Sequence, residues 1–124
     1  MFTKNCIMNS KDTGFLGEKL AEDFIIKKGW TFLARNWRYK HLEIDLLFST
    51  QKTLHIIEVK TRTQLNFGFP EQFINKQKMQ YLKNAGAIYQ YQHPNWKCLQ
   101  FDVVAIHLLS NKNWIIDFFE DVYF

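Results

Sequence analysis

Leu42-Glu43-Ile44-Asp45-Leu46-Leu47-Phe48 and Leu54-His55-Ile56-Ile57-Glu58-Val59-Lys60 decide the fold of this chain. Both are apolar runs of strand length with acids set into the alternation, separated by the polar stretch Ser49-Thr50-Gln51-Lys52. They read as a β-hairpin. Side chains in a strand alternate faces, so Glu43, Asp45 and Leu47 are expected on one face and Leu42, Ile44 and Leu46 on the other. In the second strand Ile56, Glu58 and Lys60 share a face. A loop over Ser49–Lys52 pairs Phe48 with Thr53, which sets Glu43 opposite Glu58 and Asp45 diagonal to it. The hairpin thereby gathers Asp45, Glu58 and Lys60 into one site. A carboxylate pair holds a hard divalent cation, and an adjacent lysine offsets negative charge that develops in a reaction.

Acids are disfavoured in strands, and like charges directly across a sheet destabilise it. A bound cation, or a raised pKa on one of the acids, relieves that conflict. The plainer reading is a solvated strand face on which Lys60 and Arg62 pair with their acidic neighbours.

Working outward, an opening helix is expected from a cap at Asp12 or Thr13 to Lys28, with Leu16, Leu20, Ala21 and Phe24 as its apolar stripe and Gly29 as its stop. Residues 1–11 are expected to be disordered. Trp30–Arg35 reads as a strand ahead of the acidic pair. Thr63–Pro70 reads as a loop, broken by Gly68 and Pro70. A second helix is expected over 71–92, burying Phe73, Ile74, Gln77, Tyr81, Leu82, Ala85, Ile88 and Tyr89, with Gly86 marking a close approach to the sheet. Leu99–Ile106 is apolar enough for a central strand, and Trp114–Phe119 is the last. The order αβββαββ predicts one α/β domain over 1–124, a mixed five-stranded sheet flanked by helices. The aromatic tail ending in Val122-Tyr123-Phe124 either closes the core or meets a partner.

The composition narrows the function. The chain has 124 residues, is 47% hydrophobic and carries a net charge of +4. That describes a globular domain with a sizeable core. No apolar run approaches the roughly 20 residues that cross a bilayer, and no signal-peptide core opens the chain, so a cytoplasmic protein is expected, without membrane contact. Cys6 and Cys98 form no paired motif and read as reduced thiols. The four histidines lack zinc spacing, and no phosphate-cradling glycine loop or serine elbow is present. Lysines and arginines flank the acids in sequence, a distribution that suits a site taking both a cation and a phosphate backbone.

With these residues in view, the chain resembles the YraN-like family of small bacterial proteins, itself similar to the archaeal Holliday-junction resolvases of the PD-(D/E)xK nuclease superfamily. Gly14-x-x-Gly17-Glu18-x-x-Ala21, Gly29, Arg35-Asn36-x-Arg38, Glu43-Ile44-Asp45-Leu46-Leu47, Glu58-Val59-Lys60-Thr61-Arg62, then Lys78, Leu82 and Ala85, and finally Phe101-Asp102-Val103-Val104 carry the likeness in order along most of the chain. Leu42 stands where that pattern has glycine, and Gln100 where it has arginine.

The resemblance implies a restriction-endonuclease-like fold and a metal-dependent nuclease acting on DNA, at branched or irregular structures. It implies Mg²⁺, or Mn²⁺, held by Asp45, Glu58 and the carbonyl of Val59, with Glu18 as a further acid and Glu43 assisting. Lys60 would orient the attacking water. Arg38, Arg62, Lys76 and Lys78 are the expected phosphate contacts. A junction substrate would call for a homodimer with two opposed sites. Two other functions fit the same sequence: a nucleic-acid-binding module of this fold that does not cut, and a protein-interaction domain built on the aromatic tail.

Overall fold

In the computed structural model, residues 10–63 and 72–124 are described. Of the disorder expected over 1–11 and the loop expected over 63–70, residues 1–9 and 64–70, including Gly68 and Pro70, lie outside them. The elements are α1 (Ser10–Lys27), β1 (Thr31–Tyr39), β2 (Leu42–Thr50), β3 (Thr53–Arg62), α2 (Lys76–Gln92), β4 (Cys98–Leu108) and β5 (Trp114–Phe119). The order αβββαββ and the mixed α/β class are as predicted.

One five-stranded sheet runs β1-β2-β3-β4-β5. β1, β2 and β3 form an antiparallel meander, and β5 is antiparallel to β4. β3 and β4 are parallel along ten residue pairs, from Thr53–Cys98 to Arg62–His107. A parallel pair needs a crossover, and α2 lies within it. Each helix covers one face of the sheet. α2 packs Met79, Leu82, Ala85 and Tyr89 on Ile44, Ile56, Phe101 and Val103. α1 packs Ala21 and Ile25 on Leu46, Ile57, Val59 and Val104. Burying each large apolar side chain is worth about 1.5–3 kcal/mol.

Several boundaries differ from the sequence expectation. α1 starts at Ser10, so Ser10 and Lys11 are helical, and Asp12 sits in its first turn, where a negative charge suits the helix dipole. Its buried line is Gly17, Ala21, Glu22 and Ile25 rather than Leu16, Leu20 and Phe24, which are only partly covered. The reason is proximity. A Cβ added at Gly17 would overlap the Thr61 hydroxyl of β3, so the small residues let the helix sit close on the strand. Gly17→Ala is expected to cost about 1–3 kcal/mol through overpacking, read from urea unfolding midpoints. An unchanged midpoint would show that α1 shifts freely.

α2 begins at Lys76 rather than at 71, because the Asn75 side chain accepts from the Lys78 backbone N–H at 2.8 Å and caps the helix there. Met79 is buried, while Gln77 and Tyr81, expected inside, are exposed and bonded to each other. Gly86 does mark a close helix–sheet approach: a Cβ there would lie 3.2 Å from Ile56. β1 extends to Tyr39 and carries a register shift between Phe32 and Ala34.

The tail closes the core. The Val122 N–H donates to the Phe101 carbonyl, the Val122 side chain is buried, and Lys83 Nζ donates to the Phe124 carbonyl at 2.9 Å. Nearby, Asp102 is buried. It accepts from Gln100 Nε2 and from the Asp121 N–H and meets His55 Nδ1 at 2.9 Å, and His55 Nε2 meets Thr50 Oγ1 at 2.7 Å. Asp102 is therefore a buried hydrogen-bonding hub beneath Trp30, whose ring lies 4.0 Å from that of His55.

Candidate metal and phosphate site

The hairpin expected at Ser49–Lys52 is tighter than predicted. Thr50 pairs with Thr53 across Gln51-Lys52, with Gln51 at a φ of 46°. The pairing is displaced by two residues from the Phe48–Thr53 register, so parity is kept and no side chain changes face on that account. It ends at Leu46–Ile57. Beyond that point β2 and β3 part, and the site lies in the fork.

A kink at Asp45 opens the fork. Ile44 packs on the α2 face, and Leu46, two residues on, packs on the α1 face. A regular strand would place both on one side, and the expected grouping of Leu42, Ile44 and Leu46 fails for that reason. On β1 the same inversion falls between Arg35 and Trp37, at Asn36, which has a φ of 52°. Asp45 is thereby turned toward β3, where its Oδ2 accepts the Val59 N–H at 2.8 Å in place of a strand carbonyl. A residue in an extended strand turns its N–H and C=O to the same edge, so the Val59 carbonyl also faces the fork.

Glu58 enters from the α2 face. It is 3% exposed. Its Oε2 lies 3.5 Å from both Lys60 Nζ and Lys78 Nζ, and its Oε1 is buried without a hydrogen-bond partner among the described residues. Burial, with the Asp45 charge adding to it and Lys78 and Lys60 opposing, pushes the Glu58 carboxyl up to about 8. Once protonated, it can donate to Asp45. Glu18 enters from α1, and burial, followed by the charges of Asp45 and Glu43, pushes it up to about 7. Gly17, pressed on Thr61, sets its depth. The expected pairing of Glu43 opposite Glu58 fails, because the two-residue displacement sets Asp45 level with Glu58 instead. The repelling neighbour of Glu58 is Asp45, and Glu43 acts on Glu18.

Asp45, Glu58, Lys60, Val59 and Glu18 thus converge. The expected phosphate contacts do so less uniformly. Lys78 joins the site, but as an ion-pair partner of Glu58. Arg38 Nη2 reaches Glu43 at 3.4 Å on the β1–β2 hairpin. Arg62 rests its guanidinium 5.1 Å from the Phe73 ring, not on Glu43 or Glu58. Lys76 is exposed at the first turn of α2. The sequence reading missed the pairing of buried Glu22 with Arg35, whose Nε and Nη2 donate at 2.8 and 3.0 Å and hold the Glu22 carboxyl below its ordinary value. An Arg on the edge strand and an acid on the helix covering it were the available signal.

Whether a divalent cation suits these residues turns on donors. Among the described residues no three His, Cys, Asp or Glu side chains are gathered as a ready-made chelate. Asp45 and Glu58 are the two carboxylates in contact, the Val59 carbonyl faces the same fork, and the buried Glu58 Oε1 lacks a partner among the described residues. Hard oxygen donors of this kind suit Mg²⁺ or Mn²⁺. The donor set fits, with Glu18 behind Asp45.

Residues 17–106, which contain every one of these groups, match the Uncharacterised protein family UPF0102. The chain belongs to the UPF0102 family. UPF0102 proteins of Flavobacterium psychrophilum and Flavobacterium johnsoniae are 34% and 35% identical to it, each alignment covering 91% of this chain and 94% of the relative. A UPF0102 protein of Dictyoglomus thermophilum is 35% identical over 89% of this chain and 93% of its own length. The likeness spans nearly the whole of both partners.

Proposed function

We propose that this UPF0102 protein is a metal-dependent nuclease that hydrolyses DNA phosphodiesters, with Asp45, Glu58 and the Val59 carbonyl holding Mg²⁺ or Mn²⁺. The observation that carries the reading is the fork itself. Two sheet strands part where Asp45 and Glu58 meet. One buried carboxylate oxygen there is offered no N–H donor by the described residues and faces the Asp45 carboxylate, and two lysines stand 3.5 Å from the other. A bound divalent ion supplies positive charge that lowers the pKa of an attacking water and offsets charge on the phosphate. Lys60 is a third exposed and sits at the fork's edge, where its ammonium can meet a phosphate oxygen as charge accumulates. To hold the ion Glu58 would be ionised, its proton released to water, and Lys78 would then be free to face the phosphate. Glu18 holds a proton near neutrality that it can exchange with water. No helix among the described residues is long and apolar enough to cross a membrane; the proposed setting is the cytoplasm.

The test is incubation of the purified protein with branched, gapped, duplex and single-stranded DNA in Mg²⁺ or Mn²⁺. Ion-dependent strand breaks are expected. Salt-sensitive binding without breaks in either ion would instead mark a module that holds DNA and does not cut it. For the phosphate face, Lys76→Glu is expected to reduce the salt slope of duplex binding by about 0.9, the worth of one phosphate contact. An unchanged slope in fluorescence anisotropy titrations would remove the first turn of α2 from the DNA face.

A further inference from the structure

Asn36 lies on the edge strand with its side chain exposed, yet the fork begins at its level. β1 and β2 stay paired through this point, Arg35 with Leu46 and Trp37 with Ile44, which sets Asn36 level with Asp45. Arg35 and Leu46 both lie on the α1 face: the Arg35 guanidinium bonds Glu22, and Leu46 packs with Ala21 and Ile25. Trp37 and Ile44 both lie on the α2 face, with the Trp37 ring 5.6 Å from that of Tyr89. Residues two apart in a regular strand share a face, so both strands turn over together. β3 does not. Ile57 and Val59 both pack on the α1 face, as a straight strand requires. The β2–β3 pairing stops at Leu46–Ile57, where two turning strands meet a straight one.

We infer that Asn36 is a positioning residue of the fork and that it acts through its backbone. Its φ of 52° lies in the left-handed region, which glycine and asparagine enter more readily than other residues and β-branched residues avoid. Among the described residues of β2 and β3 none has a positive φ, so the turn has its source on β1. A left-handed residue inside a strand re-aims the side chains beyond it. Cross-strand neighbours share a face, so the turn of β1 carries β2 with it at the paired residue, which is Asp45. Asp45 thereby leaves the β2–β3 ladder, and its Oδ2 takes the Val59 N–H at 2.8 Å. With a right-handed or extended residue at position 36, β2 would run on beside β3, and the ladder would close over the space an ion needs. The inference rests on the nuclease reading for its purpose, which is to set the place of one metal ligand from a residue that touches no reacting atom.

The experiment measures amide hydrogen exchange in EDTA for wild type, Asn36→Gly, Asn36→Ala and Asn36→Val. The Val59 amide is compared with those of Glu58 and Lys60, which point to β4 and report general stability. Asn36→Gly keeps the left-handed backbone and removes the side chain, so the relative protection of Val59 should match wild type. Asn36→Ala and Asn36→Val disfavour that backbone and should lower the relative protection by about 10- to 150-fold, the worth of a hydrogen bond to a charged group. The rise in melting temperature given by millimolar Mn²⁺ should follow the same order, kept in Asn36→Gly and lost in Asn36→Val. Loss of protection in Asn36→Gly as well as in Asn36→Ala would assign the role to the side chain and overturn the inference. Equal protection in all four proteins would overturn it too. So would folding of Asn36→Gly with unfolding of both Asn36→Ala and Asn36→Val, which would make position 36 a requirement of the whole fold. Should Asn36→Val alone fail to fold, Asn36→Ala against Asn36→Gly decides. A wild type with no Mn²⁺ response, whose Val59 amide still follows the backbone at position 36, would remove the metal and leave the positioning of Asp45 in place.

Discussion

Asp45→Asn is expected to abolish ion-dependent cleavage, a loss of at least about 10³-fold and of the order seen when a charge-stabilising group is removed from other active sites. The substitution is chosen for what it keeps. Asp45 Oδ2 accepts the Val59 N–H at 2.8 Å, and an alanine would leave that buried donor unsatisfied at a cost of about 1–3 kcal/mol. An asparagine oxygen still accepts it, so the kink and the fork survive while the negative charge is lost. Glu18 and Glu58 then lose a repelling neighbour. The metal-free variant should therefore be at least as stable as wild type, and the stabilisation given by millimolar Mg²⁺ or Mn²⁺ should disappear. In wild type that stabilisation is about 2.7 kcal/mol when the ion is a hundredfold above its Kd. Thermal melts in EDTA and in each ion, run beside the cleavage assay, decide the matter. Full activity in Asp45→Asn would take this acid out of the site.

The second large effect lies in pH. Glu58 and Glu18 bind protons more tightly in the folded protein than in the unfolded chain, with carboxyls at about 8 and about 7 against an ordinary 4.5. Between those limits the folded state holds more protons, so stability must fall as pH rises. It is highest near pH 4.5 with respect to these two groups, declines through 7 and 8, and is flat above. For Glu58, whose proton is held more tightly by the fold across that whole range, the decline is on the order of 2–5 kcal/mol. Glu58→Gln removes the charge, so in EDTA the variant should be a few kcal/mol more stable than wild type at pH 8.5 and nearly equal to it at pH 5. Urea unfolding at the two pH values measures this. A wild type that gains stability from pH 5 to 8.5, with no advantage for the glutamine, would show that Glu58 is ionised throughout. Metal affinity follows the same proton. Below pH 8 an ion must displace it, so the apparent Kd should rise about tenfold for each step of one pH unit downward.

The sequence carried the layout because the strands announce themselves. The apolar alternation of β2 and β3 and the uninterrupted run Phe101–Ile106 required a sheet with a buried centre, and the two-residue parity brought Glu58 and Lys60 to one face. The kink at Asp45 was hidden. It arises from the left-handed turn at Asn36 on the neighbouring strand, and asparagine tolerates such a backbone without demanding it. The loop length was misjudged because Ser49 and Thr50 are polar yet lie in the ladder. The cluster at Glu18 was legible only through family likeness. A glutamate on a helix is ordinarily solvated, and its burial here depends on Gly17, whose lack of a side chain matters only once Thr61 lies beneath it. Lys78 was assigned to phosphate through the family likeness; its ion pair with Glu58 depends on how α2 lies across β3, which the sequence does not state.

The parallel pairing of β3 with β4 bears on the order of assembly. The meander β1-β2-β3 joins neighbours in sequence and needs only short loops closed. The pair that flanks Glu58, Ile57–Asp102 and Val59–Val104, spans some forty-five residues of chain and forms only when the crossover has folded back. Non-local pairings of this kind are the slow part of folding. A partly folded chain with the meander alone would hold Asp45 and Glu58 on an open hairpin in water, with Glu58 still an ordinary acid. The proton that Glu58 takes up is thus expected to arrive with the last strands, as a signal that the site has closed.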